Sequence, residues 1–215
     1  MKKLIIFDFD GTLFNTMPDV ANCLDIALKK HNFLQLTYNE YENAVGGDIT
    51  QVISNVLKEN NTPENIEKVK TTYQKIYLNN PNELTTLYDG IHQLLQTLQE
   101  NNINLAINSN RKTESIKYYT SKFLNDITFN YIRGNNPNIL PKPDPTNLLN
   151  ILKKSNIKKE EALYVGDTNV DVETSQNAGV DCVIVKWGQG NEKNMNKNHI
   201  MGVIDKPEDL YSFIE

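Results

Sequence analysis

The 215-residue sequence is poor in the features that mark secreted, membrane and nucleic-acid-binding proteins. It has two cysteines, Cys23 and Cys182, at no metal-binding spacing, which predicts free thiols in a reducing, cytoplasmic setting. No apolar run approaches transmembrane length. The net charge of −5 is unlike the concentrated basic face of a general nucleic-acid binder. The first residues imitate a signal peptide, but Asp8 ends the apolar run too early, so we expect no export.

Strand and helix patterns alternate over most of the chain and predict an α/β fold. The predicted strands cover residues 4–9, 103–107, 127–132, 162–165 and 181–185. The predicted helices cover residues 91–99, 112–123, 145–154, 170–178 and 207–213. This alternation is typical of a Rossmann-like parallel sheet with helices on both faces. In such sheets the ligand site lies at the carboxyl ends of the strands.

The segment between the first two predicted strands has a different pattern. Its apolar residues fall at helical spacing, as in Val52, Val56 and Val69, and no strand pattern interrupts them. We therefore predict a catalytic core formed by residues 1–14 and 84–215, with an all-α cap domain inserted at residues 15–83. Within this insert we expect the loop at residues 45–48 to face the active site.

Two carboxylates stand directly after the first apolar run. Asp8 and Asp10 are two residues apart, so on an extended chain both side chains point the same way. Two carboxylates at such a short separation repel each other unless a cation lies between them. Mg²⁺ suits that position because it prefers oxygen ligands and often shares carboxylates with a substrate phosphate. Gly11 permits the sharp turn that brings backbone amides near an anion.

Polar groups also follow the second predicted strand and occupy a later loop. Ser109 and Asn110 provide a hydroxyl and an amide that can bind phosphate oxygens. Lys142 lies between two prolines that stiffen the backbone, so it could balance the charge of a carboxylate and a phosphate. Each pattern is common in turns and carries weight only together with the others.

The last acidic motif opens the predicted helix at 170–178. Asp167 and Asp171 are four residues apart, so at the start of a helix their side chains share one face. Like the other three motifs, this one lies at the end of an element of the predicted sheet. All four can therefore meet at the same edge of that sheet.

The order of the four motifs resembles that of the haloacid dehalogenase-like hydrolase superfamily. The matching residues are 7–12, 109–110, 142–145, and 166–167 with Asp171. Within the superfamily the chain is most similar to the phosphoglycolate phosphatase branch, which has a helical cap. That likeness is carried by residues 13–19, by Tyr88-Asp89-Gly90 and by residues 185–188. The second motif often has Thr where this chain has Ser109, and the hydroxyl is retained.

The resemblance implies a role for each motif residue. Asp8 would be the nucleophile that forms an aspartyl-phosphate, and Asp10 the general acid and then the base. Mg²⁺ would be held by Asp8, by the backbone carbonyl of Asp10 and by Asp167, with Asp171 supporting the site from behind the ligands. The residues expected to hold the phosphate oxygens are Ser109, Asn110, Lys142 and Gly11.

Several functions remain open at this point. The leading one is a cytoplasmic Mg²⁺-dependent phosphatase of a small phosphorylated metabolite, nominally 2-phosphoglycolate, working as a monomer or homodimer without nucleic-acid or membrane partners. A β-phosphoglucomutase-like phosphotransferase is less favoured, because that branch usually has two adjacent acids in the fourth motif. Nothing in the sequence excludes a nucleotidase or pyrophosphatase. A non-catalytic relative would be expected to lose Asp8 or Asp10, and Asp10 also argues against dehalogenase chemistry.

Overall fold

A computed structural model of the protein describes residues 1–45, 49–80, 83–190 and 197–214. The chain divides into two compact units, Met1–Asn15 with Leu87–Glu215 and Thr16–Thr86. We call the first the sheet unit and the second the helical unit. The chain passes between them after residues 15 and 86, where the sequence predicts boundaries after residues 14 and 83.

Parallel strands form the centre of the sheet unit, as predicted. The strands of the described chain are β1 Leu4–Phe7, β2 Phe14–Asn15, β3 Thr86–Leu87, β4 Asn104–Lys112, β5 Tyr131–Asn135, β6 Ala162–Gly166, β7 Asp181–Val185 and β8 Ile200–Ile204. Within the described residues, six of them pair in the order β5-β4-β1-β6-β7-β8. Leu4 of β1 is paired with Asn104 of β4 on one side and with Ala162 of β6 on the other. The first strand therefore lies between β4, which contains the second motif, and β6, whose end leads into the fourth motif.

Helices cover both faces of this sheet. They are α5 Ile91–Glu100, α6 Thr113–Phe123, α7 Thr146–Ser155 and α8 Asn169–Ala178. Alternate side chains of β1 point to opposite faces, so Ile5 and Phe7 join the core with α5 and α6, while Leu4 and Ile6 join the core with α7 and α8. These four strand residues are at most 1% exposed. This architecture is the predicted Rossmann-like α/β core.

The helical unit contains α1 Met17–Lys30, α2 Tyr38–Ala44, α3 Ile49–Leu57 and α4 Pro63–Leu78. Its own apolar core gathers residues from all four helices. The buried Asp19 carboxylate accepts hydrogen bonds from Thr85 Oγ1 at 2.7 Å and Asn80 Nδ2 at 3.0 Å, which ties α1 to the returning segment. None of the helices among the described residues combines the length and the apolar character needed to cross a bilayer.

Several predicted element bounds are wrong. The first strand ends at Phe7, because the buried Phe9 lies in a turn where its carbonyl accepts the N–H groups of Leu13 and Phe14. The strand predicted at 127–132 begins only at Tyr131, since Ile127 closes a turn onto Leu124. The strand predicted at 103–107 runs instead from Asn104 to Lys112, and residues 207–213 form a 3₁₀ helix. At Phe9 and Ile127, buried apolar residues of turns were read as strand.

Candidate active site

The first motif places Asp8 in the interior at the carboxyl end of β1. Its backbone N–H donates to Val165 O at 2.8 Å, which continues the pairing of β1 with β6 by one residue. The Asp8 side chain is buried, and its Oδ1 forms an ion pair with Lys142 Nζ at 2.8 Å. The two predicted partners, Asp8 and Lys142, therefore meet directly.

Asp167 follows β6 and lies beside Asp8. Its side chain has no exposed surface, and it accepts hydrogen bonds from Thr12 Oγ1 at 3.2 Å and from the Gln189 backbone N–H at 2.7 Å. Asp8, Asp167 and Asp171 can each offer a carboxylate oxygen within 4.8 Å of the others. The structure thus brings together three of the predicted metal-site carboxylates.

Asp171, in the first turn of α8, is bound from several sides. Its Oδ1 lies 2.7 Å from Lys142 Nζ and 3.2 Å from the Tyr164 hydroxyl. Its Oδ2 accepts the Thr168 hydroxyl at 2.7 Å, the Thr168 N–H at 3.0 Å and the Asp167 N–H at 3.2 Å. Both oxygens are occupied by protein donors, which suits a supporting role better than a direct metal contact.

The Lys142 loop is fixed by a side chain from β4. Asn110 Oδ1 accepts the Lys142 N–H at 2.7 Å, and Asn110 Nδ2 donates to Lys142 O at 3.3 Å. The predicted phosphate helper Asn110 therefore holds the backbone of the lysine that reaches Asp8. Ser109, buried at the irregular end of β4, accepts the Arg111 N–H on its Oγ at 3.2 Å.

Gly11 lies against Asp167, where a side chain would not fit. Its φ of +80° is in the left-handed region, and an added Cβ would overlap the Asp167 carboxylate. The turn after β1 therefore brings its backbone next to the carboxylate of the fourth motif. This close approach explains why glycine follows the two acids of the first motif.

Burial and mutual repulsion set the charges of this site. Burial, then the charges of Asp171 and Asp10, raise the pKa of Asp8 to about 7, although Lys142 opposes the rise. Burial, then Asp171 and Asp8, hold the pKa of Asp167 well above its usual range. For Asp171, Lys142 and Thr168 outweigh burial and lower the pKa. The neighbouring carboxylates Asp171 and Asp8 outweigh burial at Lys142 and raise its pKa, so it stays charged.

The residues fit a divalent cation. Three buried carboxylates face one ammonium, which leaves an excess of negative charge. After burial, which is the larger cause, the neighbouring carboxylates contribute to the raised pKa values of Asp8 and Asp167. A cation between Asp8 and Asp167 would remove that repulsion. Mg²⁺ prefers an all-oxygen donor set of this kind, whereas softer metals prefer nitrogen or sulfur ligands.

Other contacts of the site were not predicted from the sequence. Tyr164, inside β6, was included only as part of a buried strand, yet its hydroxyl lies 3.1 Å from Asn108 O and contacts the Lys142–Asp171 pair. Arg111 was also missed, and it binds Asp10 through both carboxylate oxygens. Its position directly after Ser109-Asn110 was the available signal. The loop predicted to face the site includes residues 46–48, which lie outside the described residues.

Comparison with known protein families gives one match over most of the chain. The model of the family described as haloacid dehalogenase-like hydrolase matches residues 5–185. This span includes all the predicted site residues.

Similar proteins extend over the same length. The phosphoglycolate phosphatase of Aquifex aeolicus is 29% identical over 213 residues, covering 99% of this chain and 97% of the relative. That of Pseudomonas fluorescens is 25% identical, covering 95% of this chain and 77% of the relative. A haloacid dehalogenase-like family hydrolase from Streptococcus pneumoniae superposes with a TM-score of 0.89 at 18% identity, covering 100% of this chain and 99% of that structure. The last likeness shows that the fold is shared.

Proposed function

The chain belongs to the haloacid dehalogenase-like hydrolase family, and we propose that within it the protein is a Mg²⁺-dependent phosphatase of small phosphate monoesters. Its similar relatives are phosphatases, and its four motifs lie in the sheet unit in the family order. The observation that carries the proposal is the cluster of Asp8, Asp167 and Asp171, with Lys142 bridging Asp8 and Asp171.

Asp8 is the proposed nucleophile. One of its carboxylate oxygens attacks phosphorus, the bond from phosphorus to the leaving oxygen breaks, and that oxygen takes a proton from Asp10. Water then attacks the aspartyl-phosphate and gives a proton to Asp10, and the bond between phosphorus and Asp8 breaks to release phosphate. Ser109, Lys142 and the amides around Gly11 are the proposed partners of the phosphate oxygens.

The proposed metal ligands are Asp8, Asp167 and the backbone carbonyl of Asp10. A bound Mg²⁺ would neutralise charge between the carboxylates and the phosphate. Asp171 supports the site indirectly, since its oxygens already accept from Thr168 and face Lys142. Asn110 also acts indirectly, because its side chain fixes the Lys142 backbone.

The nominal substrate is 2-phosphoglycolate, and the names of the relatives from Aquifex aeolicus and Pseudomonas fluorescens support this choice. The cap role that the family resemblance assigns to the inserted helices is part of the same proposal. A cytoplasmic location agrees with Cys23 and Cys182, which are free buried thiols.

Phosphate release from a panel of compounds tests this function. The panel contains 2-phosphoglycolate, sugar phosphates, 5′-nucleotides and pyrophosphate, each assayed with Mg²⁺ and with a chelator. We expect Mg²⁺-dependent turnover that is greatest for 2-phosphoglycolate, and a loss of at least about 10³-fold in Asp8→Asn. Asp205→Asn is the matched control, since the Asp205 side chain is exposed and its carboxylate lies 3.0 Å from the Nζ of the surface residue Lys186. Near-wild-type release by Asp8→Asn would rule out the nucleophile assignment.

A further inference from the structure

Arg111 and Asp10 form a two-point ion pair next to the proposed nucleophile. Arg111 Nε lies 3.1 Å from Asp10 Oδ1 and 3.0 Å from Oδ2, and Nη2 lies 2.5 Å from Oδ1. A guanidinium fork of this kind fixes the plane of a carboxylate as well as its position. The Asp10 side chain is 30% exposed and is therefore only partly enclosed by the protein.

The arginine side chain is itself held on several sides. Its guanidinium carbon lies 5.3 Å from the centre of the Phe9 ring and 5.5 Å from that of Tyr119. Its Nη1 donates to Ser115 Oγ at 3.1 Å, and the side chain is only 7% exposed. These contacts come from the turn after β1 and from α6, so they hold the fork still before any substrate binds.

A lysine at position 111 could not make the same interactions as Arg111. An ammonium is a point charge on a flexible stem, whereas the guanidinium is planar, stacks on rings and meets both oxygens of a carboxylate. The chain contains only two arginines, Arg111 and Arg133, and is otherwise basic through lysine. One of the two is thus placed where the fork geometry is needed.

We propose that Arg111 is a positioning residue that orients Asp10 for proton transfer to the leaving group. This inference rests on the proposed phosphatase function. When Asp8 attacks phosphorus and the bond to the leaving oxygen breaks, that oxygen takes the proton of Asp10. The Asp10 carboxylate left behind faces the permanent positive charge of Arg111. In the second half of the reaction the same oriented carboxylate takes a proton from the attacking water.

The leaving group separates this role from a merely structural one. An alkyl phosphate needs a proton at its leaving oxygen, whereas 4-nitrophenyl phosphate releases a stable anion without one. In the first half of the reaction, where the leaving group departs, loss of orientation at Asp10 therefore slows the first class of substrate selectively. Loss of folding or of metal binding would slow both classes alike.

The experiment compares Arg111→Gln and Arg111→Lys with Arg133→Gln, the same change at the other arginine of the sheet unit. Single-turnover rates with excess enzyme are measured on 4-nitrophenyl phosphate and on two alkyl phosphates, 2-phosphoglycolate and glycerol 1-phosphate. For Arg111→Gln we expect the single-turnover rate of leaving-group release to fall by about 10²-fold on both alkyl phosphates and by less than about 5-fold on the aryl phosphate. Arg111→Lys should lie between this variant and wild type, and Arg133→Gln should match wild type.

Two further results complete the test. Asp10→Asn should show the same leaving-group pattern, and adding Arg111→Gln to it should cause little additional loss. Equal losses on aryl and alkyl phosphates would overturn the inference. So would a rise, confined to 2-phosphoglycolate, in the enzyme concentration that half-saturates the single-turnover rate, since that would mean that Arg111 binds the substrate carboxylate. A failure of the proposed function would appear separately, as a wild-type protein inactive on all three compounds.

Discussion

At the scale of single residues, Asp8 lies where its own ionisation is opposed. Burial and the neighbouring carboxylates raise its pKa to about 7, so the metal-free protein holds a proton there that the unfolded chain releases near its ordinary pKa of 3.8. Stability should therefore fall as pH rises from about 4 to about 7. At about 1.4 kcal/mol per pKa unit the full effect is about 4 kcal/mol.

Replacing Asp8 with a neutral side chain tests this directly. With a chelator present, Asp8→Asn should unfold at a higher temperature than wild type at pH 7.5, and the difference should vanish toward pH 4. Thermal denaturation across this range measures it, with Asp205→Asn as the control for a surface carboxylate. A difference that stayed constant with pH would contradict the raised pKa.

The two cysteines give another prediction at the residue scale. Burial, followed by the charge of Asp19, raises the pKa of Cys23 to about 11, and burial raises the pKa of Cys182 to about 12. Because only the thiolate reacts quickly, neither residue should be labelled by Ellman's reagent in the native protein at pH 8. Both should react in denaturant. Rapid labelling of either one in the native state, identified by peptide mapping, would show that its thiol is reachable and ionised.

At the scale of elements, the start of α8 is joined to the candidate metal site. The Thr168 hydroxyl and N–H both donate to Asp171 Oδ2, so one residue links the helix N-terminus to the supporting carboxylate. We expect Thr168→Ala to lower the free energy of unfolding by about 1 kcal/mol and to weaken Mg²⁺ activation, while Thr168→Ser keeps both. Urea denaturation and Mg²⁺ titration of activity measure the two effects. Loss in the serine variant as well would point to the methyl group instead of the hydroxyl.

Elements also show what the sequence could and could not predict. Asp8 and Asp167 were identified because each stands at the end of an apolar run, and Lys142 because it lies between two prolines. Tyr164 was not identified, since it stands in an apolar run that is typical of any core strand. Only the pairing of β1, β4 and β6 reveals its polar contacts. Arg111 was missed because its partner Asp10 is 101 residues away in sequence. Contacts between distant segments need the sheet order, which local pattern does not contain.

At the scale of the whole molecule, the excess negative charge of the Asp8, Asp167 and Asp171 cluster couples metal binding to the stability of the folded protein. A ligand that binds only the folded state stabilises it, by about 2.7 kcal/mol at a concentration of 100 Kd. We therefore expect Mg²⁺ to raise the Tm of wild type at pH 7.5 and to have little effect on Asp167→Asn. Asp205→Asn should respond like wild type. An equal Mg²⁺-induced shift in Asp167→Asn would mean that the ion binds elsewhere.

The position of β1 in the middle of the sheet has a consequence for how the chain is made. Residue 4 is paired with residues 104 and 162, so the strand synthesised first gains its neighbours only after most of the chain has left the ribosome. Until β6 is available at least one edge of the strand lacks its native partner, and contacts between such distant segments form slowly. The nascent chain therefore passes through a long stage in which the nucleophile exists but its site does not. Truncation before β6 would leave a strand with one unpaired side, a shape prone to aggregation instead of partial activity.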